Sequence, residues 1–234
     1  MSGETAKPAA GSQTLSRGIR VMEVLAEADG PLSIAELCDV LGLHRSIVYR
    51  LLRTLEEHGL VVRDAAGAVR LGPGLAALAR SVSRDLQAAA LPELTELANG
   101  LGMTAFLAVL DEDTVVTLVS VEPREHGAAL AQRPGSRHAL DRGAPGAAIR
   151  HLLGAQELAR RGLNAPDLSD SHAGPYATSN NEVIPGVFAL AVPLAVPGQP
   201  PAALAVVSVA RSEEPRGVAA ALHRSAAAVR AALA

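Results

Sequence analysis

The side chains best suited to chemistry lie between His44 and Thr54, where His44, Arg45, Ser46, Tyr49, Arg50, Arg53 and Thr54 alternate with apolar residues and no acid intervenes between Gly42 and Leu55. An arginine pairs two parallel N–H donors with the O6 and N7 acceptors of guanine, a contact worth about 1–3 kcal/mol of discrimination. His44, Arg45, Ser46, Tyr49 and Arg50 are therefore the candidates to read bases. Arg53 and Thr54, farther along, are placed to hold phosphate, as are Arg63, Arg70 and Arg17, because a backbone contact needs only a flexible cation. The whole chain carries a net charge of −3, which argues against nucleic acid until the distribution is considered. Glu23, Glu27, Asp29, Glu36 and Asp39 all precede the basic window.

The elements that must position this window follow from periodicity and punctuation. Residues 1–13 are polar, rich in small residues and aperiodic, and read as a disordered arm. Leu15, Ile19, Met22 and Leu25 recur at helical spacing until Asp29-Gly30-Pro31 stops them. Ser33-Ile34-Ala35-Glu36 has the form of a capping box, opening a second helix that Gly42 turns sharply into a third. In that third helix Ile47, Leu51 and Leu55 make an inward stripe, and the polar candidates share the opposite face. Residues 60–63 and 68–71 flank Asp64-Ala65-Ala66-Gly67 as a short hairpin. Three helices and a hairpin over residues 14–73 predict a winged helix-turn-helix.

Beyond it, Leu75, Leu78, Val82 and Leu86 predict a linker helix over 74–90, and Leu94, Leu97 and Leu101 a second helix over 91–101. Apolar segments 104–110 and 115–121, separated by Asp111-Glu112-Asp113, predict an antiparallel pair. A helix over 146–153, a loop over 164–175, strands over 186–196 and 202–210, and a closing helix capped at Ser212 with Glu213 and Glu214 in its first turn complete an α+β region.

The segments LGLHRSIVYRLLRTLEEHGLVVRD and VRLGPGLAALA resemble the winged helix of the IclR family of bacterial regulators. YATSNNEVIPGVFALAVPL is similar to the family's Glu-x-x-x-Gly-Val segment and the strand after it, and GSRHALDRGAPGAA lies where the family carries a pocket motif. The resemblance covers residues 14–234. It implies a DNA-binding domain (14–73), a linker helix (74–90) and a GAF-like effector domain (91–234), an antiparallel sheet with flanking helices. It also implies assembly as a dimer or a dimer of dimers, and a pocket lined by Ala144, Gly146, Ser179, Val187, Ala189 and Ser208. Two positions depart from the family pattern: Ala139-Leu140-Asp141 stands where Pro-Leu-His is common, and Ala147 where a lysine often stands.

A turn that opens a helix presents unpaired amides that suit a carboxylate, so the expected effector is a small anionic metabolite. The expected DNA partner is a duplex operator with an inverted repeat, read by two recognition helices about 34 Å apart or a multiple of that spacing. An alternative reading is a sensory or scaffolding module whose winged helix makes protein contacts. His138, Asp141 and His151 are a weak metal option, and Ser179 with His172 a weak nucleophile pair; neither has a motif around it, so no enzyme, cofactor or metal is expected. No run approaches the roughly 18 uncharged apolar residues of a membrane span, nor does the N-terminus carry a secretion signal, so a cytoplasmic protein without membrane contact is expected. The single cysteine, Cys38, excludes an internal disulfide and reads as a small core residue.

Overall fold

The computed structural model describes residues 11–124, 132–209 and 214–234, and the chain passes from one compact unit to a second between Val82 and Ser83. In the first, α1 (Gln13–Glu27) opens on Ser12, whose Oγ accepts from the Leu15 amide at 3.3 Å. The helix thus starts at Gln13; residues 1–10 of the expected disordered arm lie outside the described residues. The capping box forms as its spacing predicts at the head of α2 (Ile34–Leu41): Glu36 N donates to Ser33 Oγ at 3.2 Å and Ser33 N to Glu36 Oε2 at 2.7 Å. Those bonds hold the Glu36 carboxyl below its ordinary pKa.

Gly42 then adopts φ +62°, a left-handed turn that a residue with a Cβ enters at a cost, and α3 (Arg45–Glu57) follows. Its buried Val48, Leu51, Leu52 and Leu55 pack with Val21, Val24 and Leu25 of α1 and Leu37 of α2, with Cys38 partly buried against them. Strands β1 (Val61–Arg63) and β2 (Val69–Leu71) pair antiparallel with Val61 opposite Leu71. Leu32 joins through reciprocal bonds with Val69 at 2.9 and 2.7 Å, tying the wing to the helices. A short α4 (Gly74–Ala79) ends the unit.

The linker differs from its expectation. No single helix runs over 74–90: α4 stops at Ala79, Ser83 takes a left-handed φ of 44°, and α5 runs unbroken from Arg84 to Leu101 through Pro92. Leu86, Ala90, Leu94, Leu97 and Ala98 form one buried stripe, and burying it outweighs the roughly 3 kcal/mol that an interior proline costs a helix.

The second unit is a seven-stranded sheet of β3 (Thr104–Asp111), β4 (Thr114–Val121), β5 (Arg137–Ala139), β6 (Ser169–Ser171), β7 (Gly174–Asn180), β8 (Phe188–Leu194) and β9 (Ala202–Ser208), in the order β5-β4-β3-β9-β8-β7-β6 with every neighbouring pair antiparallel. Between the strands lie α6 (Gly143–His151) and α7 (Ala155–Arg160), and α8 (Pro215–Ala232) closes the chain. The two-residue period of a strand sorts the core into two faces, and most of β8 and β9 by size. Leu107, Leu190, Val192, Leu204 and Val206 face α5 and α8, whereas Ala108, Ala189, Ala191, Ala203 and Ala205 face α6.

Here too some expectations shift. The helix expected over 146–153 begins at Gly143, and β5 and the short α7 stand where no element is expected. The expected loop over 164–175 contains β6 and the start of β7. The expected cap Ser212 and Glu213 lie outside the described residues, while Glu214 precedes α8, which starts on Pro215, a residue preorganised for a first helical turn. Among the described residues no helix is long and apolar enough to cross a membrane.

Candidate functional sites

The first candidate site is the outer face of α3. His44 caps the helix: its Nδ1 lies 2.9 Å from Ser46 Oγ and accepts from the Ser46 amide at 3.4 Å. Arg45 Nη2 donates to Tyr49 Oη at 3.4 Å with its guanidinium carbon 5.6 Å from the ring centroid, and this partner raises the Arg45 pKa further. Arg50 is exposed and has no ion pair among the described residues. Arg53 pairs with Glu57 at 3.1 Å, both largely in water, a pair of little energetic weight that a phosphate would displace readily. Thr54 Oγ1 returns to the Arg50 carbonyl at 3.3 Å. Arg70 is exposed on β2, and Arg17 is partly covered on α1, beside Arg50 and Thr54 along one groove.

Arg63 departs from the expectation of a flexible wing cation. Its Nε lies 2.6 Å from Glu56 Oε1, both side chains less than a third exposed, and its guanidinium carbon lies 5.5 Å from the Tyr49 ring centroid. The sequence shows both residues but not their meeting, because the partner sits seven positions back across the turn between helix and strand.

The second candidate site is a cavity of ≈ 40 Å³ in the sheet unit. Ser179, Val187 and Ala189 line it as the resemblance implies, with Gly143, Pro145, Phe106, Val207 and His138 around them. Ala144 and Gly146 do not line it: the Ala144 amide donates to Ser179 Oγ at 2.9 Å, and a Cβ on Gly146 would sit 2.5 Å from the Leu140 carbonyl. Nor does Ser208. It lies opposite Phe188 in the register, on the strand face shared with Val206, and its neighbour Val207 takes the place expected for it.

The amides at the start of α6, expected to be open for a carboxylate, are occupied by the chain itself. Gly143 N donates to Glu182 Oε2 at 2.8 Å, and Ala144 N has Ser179. Within its sequence motif Glu182 shows no role, because nothing local links it to a helix 39 positions earlier. His138 packs beside it with Nδ1 3.0 Å from the Ala139 carbonyl. Burial pushes its pKa below the ordinary 6.5 despite that bond. A carbonyl only accepts, so Nδ1 carries the proton and Nε2 is an acceptor. Asp141, His151 and His172 are exposed, and no group of three metal-ligating side chains occurs among the described residues.

Three comparisons bear on these sites. Residues 14–65 match the model of the IclR helix-turn-helix domain. The chain is similar to HTH-type transcriptional regulator Rv1719 of Mycobacterium tuberculosis, 38% identical over 114 residues, which is 48% of this chain and 44% of that protein. The aligned stretch thus spans less than half of that relative. Among solved structures, an IclR transcriptional regulator from Alicyclobacillus acidocaldarius superposes with a TM-score of 0.76 at 26% identity, covering 96% of this chain and 100% of the other. An IclR homolog from Microbacterium hydrocarbonoxydans complexed with 4-hydroxybenzoate shares the fold at a TM-score of 0.75 and 22% identity, over 94% of this chain and 99% of the other. Residues 14–65 are thus an IclR-type helix-turn-helix domain, and over nearly its full length the chain is similar in fold to a solved IclR transcriptional regulator.

Proposed function

We propose that the chain is a ligand-responsive DNA-binding regulator whose dimer, alone or paired as a tetramer, reads an inverted-repeat operator. The carrying observation is the face of α3, where Arg45 and Arg50 stand in water with no carboxylate paired to either among the described residues. Donors left unspent by the fold are what a base edge requires. Arg17, Arg53, Thr54 and Arg70 add phosphate contacts that fix the helix in its groove.

In the same reading, the sheet unit holds a small anionic effector at Ser179, Val187, Ala189 and the start of α6. A homolog of this fold carries 4-hydroxybenzoate, a carboxylate, which favours the anionic class. At ≈ 40 Å³ the cavity is far below the roughly 300 Å³ from which ligand pockets begin. Effector entry therefore needs the segment carrying Glu182, Val183 and Ile184 to withdraw and release the Gly143 amide. The effector then shifts DNA affinity only by preferring one arrangement of the dimer over another.

Fluorescence anisotropy of the full chain against duplexes from its own upstream region, at two salt concentrations, tests this reading. Salt-dependent, sequence-selective binding is expected. Failure on these and on genome-wide selected fragments overturns it and leaves protein contact as the use of the winged helix.

A further inference from the structure

We propose that Tyr49 and Arg63 are positioning residues that hold Arg45 in its base-reading conformation, and that Arg63 makes no phosphate contact. This rests on the DNA-binding reading above and adds a division of labour within it.

Two guanidinium groups lie over the ring of Tyr49, one from the first residue of α3 and one from the last residue of β1. Cations within about 6 Å of an aromatic centroid are attracted to its face, so both are drawn to one platform. Their surroundings differ. Arg63 is mostly covered and its charge is met by Glu56 through the 2.6 Å ion pair and a second, longer bond at 3.4 Å. A phosphate would have to break that pair and release a half-buried carboxylate. Arg45 is exposed, and among the described residues its only side-chain partner is Tyr49. The phenol oxygen and the ring restrict a side chain that otherwise has many rotamers, and they leave its other donors pointing to water. Arg63, fixed by Glu56, closes on the same ring and limits the movement of Tyr49. The chain of contacts runs from Glu56 through Arg63 and Tyr49 to Arg45, and its output is direction rather than charge.

The two roles give different signatures. A phosphate contact contributes about 0.9 to the slope of log Kobs against log salt, whatever the sequence. A positioning contact changes discrimination at one base pair and leaves that slope alone. The experiment selects duplexes from a random pool with the full-length wild-type chain, then measures the best duplex and its single-base variants from 50 to 200 mM salt. Arg63→Ala is expected to keep the wild-type slope while losing about fivefold in discrimination at the base pair that Arg45→Ala also relaxes. Tyr49→Phe, which keeps the ring without the hydroxyl, should lose less there than Tyr49→Ala. Arg45→Ala/Tyr49→Ala should be no worse than Arg45→Ala alone.

A slope lowered by about 0.9 in Arg63→Ala, or losses that add in the double variant, overturns the proposal and leaves DNA binding intact. If Arg63→Ala does not fold, Glu56→Gln is measured instead, and unchanged discrimination there is equally fatal. A wild-type chain that enriches no sequence overturns this proposal together with the regulator reading.

Discussion

The outer face of α3 and the cavity beside α6 are both polar sites at helix starts, yet they stand in opposite conditions. On α3 the donors of Arg45 and Arg50 are turned to water and the neighbouring carboxylates pair elsewhere, Glu56 with Arg63 and Glu57 with Arg53. Beside α6 the first two amides are already bound, to Glu182 and Ser179. A surface built to meet a long, rigid polyanion gains by holding its donors ready. A pocket for a small molecule must instead keep its buried amides satisfied while empty, because an unpaired one costs about 1–3 kcal/mol. The chain meets that cost with its own oxygens, so under the proposed function the second site must change shape when a ligand enters and the first need not.

The sharpest break in this contrast would come from Arg45→Ala/Arg50→Ala. Removing two groups that each discriminate by about 1–3 kcal/mol should weaken selective duplex binding by about 2–6 kcal/mol, read by anisotropy, with the melting temperature unchanged. Survival of selectivity would mean that the open face is not where bases are read. Next, Glu182→Ala should strand the Gly143 amide and cost about 1–3 kcal/mol of stability, measured by urea denaturation. Sodium benzoate should restore part of that in the variant more effectively than it stabilises the wild type; equal responses would show that Glu182 does not compete for the amide. Ser33→Ala, which removes half of the capping box, should cost about 0.5–2 kcal/mol in the first unit without altering benzoate response.

The smallest effect concerns pH. Burial holds the His138 pKa below 6.5, so the unfolded chain binds its proton more readily than the folded one. Its contribution to stability is therefore fully present above pH 6.5 and is lost as pH falls toward and below the folded value. The Asp141 carboxylate opposes the depression, the Arg142 guanidinium adds to it, and Glu182 lines the same cavity. His138→Asn should flatten the acid limb of a plot of melting temperature against pH below 6.5; an unchanged limb would assign it to other groups.

Legibility in the sequence followed distance along the chain. The capping box, the Gly42 turn and the stripe of α3 are written within a few residues of one another, and all three stand in the structure. The buried strands β3, β4, β8 and β9 announce themselves as apolar runs, whereas β6, with the sequence Ser-Asp-Ser, has no alternation to read and is fixed only by pairing with β7. The pocket was the least legible. Its central bond joins residues 39 positions apart, and the placement of Ser208 failed by one step, which in a strand reverses the face. Arg63 shows that a residue's type and approximate address do not reveal whether its charge is still available.

The sorting of the sheet by side-chain size has a consequence for how such a protein diversifies. Leucines and valines against α5 and α8 anchor the unit, and truncating one there costs about 2–5 kcal/mol. On the reverse face the alanines of β8 and β9 have few atoms to lose, and the sheet shields the leucine layer from changes made among them. Variation on that side trades methyl groups for ligand room while the foundation stays intact. If the proposed effector reading holds, a designer altering the ligand should work from Ala189 and Val207 outward, leaving the leucine layer alone.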